Sequence, residues 1–242
     1  MFDLSGKKAL VTGATQGIGF AVANEFAKHG AKVFVNGASS FEKCKTASDK
    51  IPNSKPVHIS LEDSDCAERM YAITGEVDIL VLNASIQYRK VWNEITSEEF
   101  DRQIKVNFKS SLELIQRYAP GMQLNKWGRI LTIGSVQQYK PHKDMTVYAA
   151  SKCAQMSMVH NLAKQFAPYG VTVNNLAPGV IETPRNEEAL SNIEYKKQVM
   201  AGIPLGYAGE PKDCVASALL LCSDEGRYIT GIDLPVDGGM SL

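Results

Sequence analysis

A single doubly wound α/β domain built on a parallel sheet is the fold this sequence predicts. Three observations predict it. Short β-branched apolar runs alternate with amphipathic stretches along the whole chain. A glycine cluster stands between the first such run and the first amphipathic stretch. No linker, repeat or low-complexity tract divides the 242 residues, so 1–242 is expected to fold as one domain.

Residues 8–12 read as a first strand buried on both faces. Ile18, Val22 and Phe26 follow at helical spacing, and Gly30 ends that helix as a residue tolerant of φ > 0. The second strand covers 32–36, and a helix over 41–50 stops before Pro52. Residues 56–60 form the third strand, 63–74 a helix with an acidic first turn, and 78–82 the fourth strand. One long helix spans 97–122 with Ser97 as its N-cap. The fifth strand (128–135), a helix (147–166) closed by Pro168 and Gly170, and the sixth strand (171–177) continue the rhythm. A helix over 211–222 opens on Pro211, and 229–236 is the last strand. Right-handed crossovers between parallel strands satisfy this order. The insertion 182–205 is long for such a connection. It mixes Glu187, Glu188, Glu194, Lys196 and Lys197 with apolar Leu190, Ile193 and Val199, and is expected to be a substrate lid that ligand orders.

Composition excludes several classes. Lys plus Arg is 26 and Asp plus Glu is 26, so the basic excess of a nucleic-acid binder is missing. Hydrophobic residues at 44% and charged residues at 21% fit a globular chain, not a disordered one. Cys44, Cys66, Cys153, Cys214 and Cys222 are odd in number and scattered, which argues against a disulfide framework. Neither they nor His29, His58, His142 and His160 show ligand spacing, so no metal is expected. The apolar runs fall far short of the ~20 residues that span a bilayer, and no targeting segment is visible. A reducing, cytoplasmic location is the expectation, with a small molecule as partner.

Two patterns carry chemistry. The first is Thr12-Gly13-Ala14-Thr15-Gln16-Gly17-Ile18-Gly19, between the first strand and the first helix. Glycines there let a phosphate approach the backbone, and the helix N-terminus offers free N–H groups and a positive dipole end. The second is Tyr148 and Lys152, which share a helix face at i and i+4, with Ser135 at the end of the fifth strand. Both patterns lie at the carboxyl edge of the sheet, where open α/β sheets bind ligands.

With Leu82-Asn83-Ala84, Asn107, Pro178-Gly179 and the ending Asp237-Gly238-Gly239 added, the chain resembles the short-chain dehydrogenase/reductases of the compact, single-domain kind, over essentially its whole length. The resemblance implies a Rossmann-type sheet that binds NAD or NADP, and hydride transfer between nicotinamide and a carbonyl or secondary alcohol. It implies Asn107, Ser135, Tyr148 and Lys152 as a catalytic tetrad, with Asn107 holding a water that links Lys152 to solvent. It implies coenzyme contacts from Gly13, Thr15, Gln16, Gly17, Ile18 and Gly19 in the loop. Asn36, Ser39, Ser60 and Leu61 would lie at the adenosine end, Asn83 and Ala84 along the wall. Pro178, Gly179, Ile181 and Thr183, with Tyr148 and Lys152, would lie at the nicotinamide end. The family's habit of pairing its long helices implies a homotetramer, the last strand and preceding helix making the second contact.

The chemistry supports these roles. A carbonyl that takes hydride needs a proton donor, and an alcohol oxidised in reverse needs a base. A free phenol ionises near pH 10, but an ammonium about 4.5 Å away favours the phenolate by roughly 3–4 kcal/mol at an effective dielectric near 20. Lys152 would tune Tyr148 in this way, and Ser135 would hydrogen-bond the reacting oxygen.

Departures from the family pattern matter. Ser85 stands where a glycine is usual after Leu82-Asn83-Ala84, and Ser60 stands where an aspartate usually meets adenine. At the end of the second strand, Asn36-Gly37-Ala38-Ser39-Ser40 carries no acid before Glu42 to repel a 2′-phosphate, and no cation to hold one. NADP is therefore favoured over NAD, held by backbone N–H groups, Ser39 and Ser40. Ser85, Gln87, Tyr88 and Arg89, then Gln137, Gln138, Tyr139 and His142, are expected at the substrate. Their amides and hydroxyls suit a sugar or polyol. A 3-oxoacyl-thioester reductase is the second reading. A non-catalytic nucleotide-binding regulator is the alternative from another class.

Overall fold

The computed structural model describes the backbone of residues 1–242 and every side chain except those of residues 188 and 189, so the Glu188 expected in the lid lies outside the described side chains. Seven parallel strands form one sheet in the order β3-β2-β1-β4-β5-β6-β7. They are β1 (Lys8–Val11), β2 (Lys32–Gly37), β3 (Ser54–His58), β4 (Ile79–Leu82), β5 (Gly128–Ile133), β6 (Val171–Pro178) and β7 (Asp233–Val236). The helices are α1 (Gly17–Lys28), α2 (Phe41–Ser48), α3 (Cys66–Thr74), α4 (Ser97–Ile104), α5 (Ser110–Leu124), α6 (Thr146–Phe166), α7 (Pro184–Ser191), α8 (Ile193–Ala201) and α9 (Val215–Cys222).

Both faces of the sheet are covered because successive strand side chains point opposite ways. Ala9 and Val11 of β1, with Ile79 and Val81 of β4, join one core against Val22 and Phe26 of α1 and Leu219 of α9. Leu10, Leu80 and Leu82, between them in sequence, join a second core with Met70 of α3, Ile115 and Tyr118 of α5 and Val159 of α6. Strand order reverses between β1 and β4, which opens a crevice at their carboxyl ends. Among the described residues, no helix is long and apolar enough to cross a membrane.

The structure corrects several boundaries. The third strand runs from Ser54 to His58, two residues earlier than its composition suggests; as an edge strand it accommodates Pro56, which is paired opposite Val35. Helix α3 starts at Cys66, and α9 follows a short 3₁₀ turn over Pro211–Cys214. Only Asp233–Val236 of the expected last strand pairs with β6. Gly231, with φ near 75°, breaks the preceding residues from strand geometry. The stretch 97–122 is not one regular helix. A π-helical turn, Lys105–Lys109, separates α4 from α5. The N-cap is Thr96, not Ser97: its hydroxyl accepts the Glu99 N–H at 3.2 Å while the Glu99 carboxylate receives the Thr96 N–H at 3.0 Å. The insertion folds as α7 and α8.

Candidate active site

The glycine loop is pinned from beneath. Asn36 sends its amide N–H groups to Val57 O and Ile59 O, and its Oδ1 accepts the Gly13 N–H at 3.4 Å. Asn83 donates to Thr12 O at 2.9 Å and Gly13 O at 3.0 Å. Thr12 Oγ1 receives the N–H groups of Asn83 and Ala84, both at 3.0 Å. The Asn36 amide and the N–H groups of Asn83 are thus occupied by the protein's own backbone, and these groups shape the loop rather than face a ligand. Gly13 has φ near 61°, and a Cβ there would stand 2.9 Å from Ala84 Cα. Gln16 caps α1 without a side-chain bond, which leaves the first-turn N–H groups open to an anion. These features fit a dinucleotide pyrophosphate.

At the far end of the loop, a cavity of about 470 Å³ opens between Thr15, Gln16 and Phe20 on one side and, on the other, Glu42 and Lys43 of α2 with Lys50 just beyond its end. Lys43 and Lys50 are cations that the reading of the strand-end loop missed; their seven-residue spacing along the helical stretch was the available signal. Ser40 serves as N-cap of α2, accepting Lys43 N–H at 3.2 Å, while Ser39 is exposed. Ser60 Oγ accepts the Glu62 N–H at 3.2 Å, and Leu61 is buried.

The four candidate catalytic side chains come from three places in the fold and are all buried. Asn107 sits in the π-helical turn. Its amide donates to Ile86 O at 2.9 Å and Ser151 Oγ at 3.1 Å, and its Oδ1 accepts the Ile86 N–H at 2.8 Å. Turning that amide inward from a long helix fits the extra residue of a π-turn. Ser135 caps a short turn after β5, its hydroxyl accepting the Gln137 N–H at 3.2 Å. Tyr148 and Lys152 share α6, with Lys152 Nζ 5.7 Å from the Tyr148 ring centroid. Lys152 donates to Ile133 O at 2.8 Å and to Gln155 Oε1 at 2.9 Å. Burial pushes the Lys152 ammonium down to about 7, and Arg185 adds to the effect.

The expected substrate residues divide. Gln138 belongs to an internal network: its Oε1 accepts the Ser135 N–H at 2.9 Å, and its Nε2 donates to Asp233 at 2.6 Å. Tyr139 also donates to Asp233. Tyr88 is tied to Gln103 and Arg102. These three are bracing residues. Gln87 is half-buried. Gln137 Oε1 takes the His142 N–H at 2.5 Å, which places His142 beside Arg89. Burial lowers the His142 ring, with Arg89 next. Its Nδ1 accepts the Asp144 N–H, so its Nε2 carries a proton in the neutral ring and faces Arg89 as a neighbour, not an acceptor.

Two arginines join the 182–205 insertion and the loop after β4. Arg185 of α7 donates to Ser85 Oγ at 2.9 Å and Ser85 O at 2.5 Å. Arg89 donates to Tyr195 of α8 at 2.7 Å and stacks on its ring. The chain enters the insertion over Gly179, packed on Asp237 after Pro178, then buried Ile181, and Thr183, whose methyl group meets the space over Gly17.

This chain is similar to known proteins across its length. The family model described as enoyl-(acyl carrier protein) reductase matches residues 13–241. L-rhamnose 1-dehydrogenase (NADP(+)) of Thermoplasma acidophilum is 37% identical over 100% of this chain and 99% of its own. The 3-oxoacyl-(acyl-carrier-protein) reductase of Escherichia coli is 37% identical, covering 99% of each. A gluconate 5-dehydrogenase from Burkholderia cenocepacia, in complex with NADP and tartrate, superposes with a TM-score of 0.92 at 27% identity, covering 99% of this chain and 97% of that one.

Proposed function

The chain belongs to the short-chain dehydrogenase/reductase family, and from that premise we propose that this oxidoreductase interconverts a carbonyl and a secondary alcohol on a polyhydroxylated, carboxylate-bearing substrate, with NADP as coenzyme. The observation that carries the substrate class is the pair Arg89 and Arg185. Both stand at the mouth of the site, and among the described residues neither makes an ion pair with a carboxylate. Guanidinium groups recognise carboxylates in a planar, two-bond geometry. The relatives are named for gluconate, a sugar acid, and for rhamnose, a sugar, and tartrate bound in one of them is a hydroxy acid. NADP is supported by Lys43 and Lys50 at the adenosine-end cavity and by the relatives that carry or name it.

The coenzyme supplies or accepts the hydride. Everything else falls to the chain. Ser135 orients the reacting oxygen, Tyr148 gives that oxygen its proton or removes it, and Lys152 faces the Tyr148 ring from the same helix. The lid excludes water from the nicotinamide end.

A screen of aldonic acids, neutral sugars, polyols and 3-oxoacyl thioesters, with NADPH and NADH, tests the reading. Turnover greatest on the acids, and reduced at least tenfold by Arg89→Ala through KM, is the expected result. Turnover confined to thioesters would replace it with the reductase reading, which the Escherichia coli relative supports. We further infer a homotetramer, built through the long-helix face and the β7 edge and measurable by light scattering. We also infer a reducing cytoplasmic location, consistent with five free cysteines, and a lid whose cleavage between Arg185 and Lys197 slows on coenzyme addition.

A further inference from the structure

Gln155 lies seven positions after Tyr148 on α6, and so on the same helical face, and it is fully buried. A buried primary amide is costly unless its oxygen and both N–H groups find partners. Its oxygen finds the catalytic lysine: Lys152 donates to Gln155 Oε1 at 2.9 Å. Its nitrogen donates to Ser111 Oγ at 3.0 Å, and Ser111 in turn donates to Asn107 O at 3.4 Å. The amide cannot be reversed. An ammonium only donates, so the oxygen end must face Lys152. The ammonium has three N–H groups; one goes to Gln155, one to Ile133 O, and one is left for the pocket.

We propose that Gln155 is a positioning residue for the reaction, holding the Lys152 ammonium in place beneath Tyr148 and itself held through Ser111 to the π-helical turn that carries Asn107. This rests on the oxidoreductase reading of the site.

The charge balance around Lys152 gives Gln155 its weight. Tyr148 faces the lysine from its own helix and Arg185 from α7; among the described residues no carboxylate acts on it. Burial and Arg185 both drive the proton off. The two carbonyl oxygens are what hold it on. Replacing one with an apolar group removes a hydrogen bond to a charged donor.

The test follows two readouts over pH 5–10: the affinity for NADPH, from nicotinamide fluorescence, and kcat. Both should break where Lys152 loses its proton. In Gln155→Met, of similar size but without an acceptor, both breaks should move about one pH unit lower, a tenfold loss of proton affinity. The variant should match the wild type near pH 5 and fall about tenfold behind at pH 8. Gln155→Glu, which keeps an acceptor, should bring the break back to the wild-type position or above it. Superimposable profiles for Gln155→Met and the wild type would overturn the proposal, whatever happens to Tm. If Gln155→Met does not fold, Ser111→Ala should shift both breaks the same way by a smaller amount, and no shift there would also overturn it. The coenzyme readout needs no turnover. A wild type that turns over no carbonyl would sink the reaction reading, while the NADPH break would still judge Gln155.

Discussion

The side-chain amide of Asn83 fills the space that a β-carbon on Gly19 would need. A Cβ at position 19 would also stand 2.7 Å from the Gly13 carbonyl oxygen. Asn83 cannot step aside without losing its bonds to Thr12 O and Gly13 O. Gly19→Ala should therefore push the loop out of shape, lowering NADPH affinity at least tenfold and Tm by several degrees. Fluorescence titration and thermal melting check this; near-wild-type affinity would mean that the loop adapts.

Removing one oxygen isolates the proton-transfer role. Tyr148→Phe keeps the ring packed on α6 and should abolish turnover while leaving coenzyme affinity within a few-fold. Residual activity above about one per cent of wild type would take Tyr148 out of the acid–base role.

Lys152 should cost the fold stability that its function requires. Its ammonium is depressed to about 7 in the folded chain, against about 10.5 in an exposed lysine. Between these values the unfolded chain binds more protons, so the contribution of Lys152 to stability rises with pH from about 7 to about 10.5, and the penalty is complete below 7. Lys152→Met should raise Tm at pH 6 by about 5 °C, the carbonyls left unpaired offsetting part of the gain. The advantage should shrink towards pH 10, while rate and coenzyme affinity are lost at every pH. A variant less stable than wild type at pH 6 would contradict this.

Coenzyme choice should depend on Lys43 of α2 and on Lys50 just beyond its end. Lys43→Ala combined with Lys50→Ala should weaken NADPH binding about tenfold or more and leave NADH within two-fold. Equal losses for both coenzymes would remove these lysines from 2′-phosphate recognition.

Most of the fold was legible because buried parallel strands leave unbroken apolar runs, as in Ile79–Leu82, and covered helices leave stripes such as Ile18, Val22 and Phe26. What slipped was set by tertiary context. Pro56 looked like a strand start because nothing local reveals that β3 is an edge. The π-helical turn is invisible to an i, i+4 pattern, since the one extra residue leaves apolar periodicity intact on both sides. In the site, Tyr148, Lys152 and Ser135 were legible from spacing. Gln155 was not, because a lone glutamine in a helix reads as a solvent-facing residue until Lys152 and Ser111 are found on either end of its amide. Lys43 and Lys50 were overlooked because cations were sought only in the strand-end loop. Asn36 was read as a ligand contact because a strand-end position suggests one; its amide is instead what ties β2 to β3 and the glycine loop.

The crevice between β1 and β4 has a consequence for how the molecule comes to exist. Thr12 and Asn83, which lock the glycine loop to the crevice wall, are 71 positions apart, and two complete strand–helix units intervene. No local hairpin can bring them together, so loop-closure entropy must be overcome before the loop gains its brace. An emerging chain cannot capture coenzyme until β4 has docked beside β1. Refolding should therefore pass through a collapsed stage that is blind to NADPH, and coenzyme should accelerate only what comes after it.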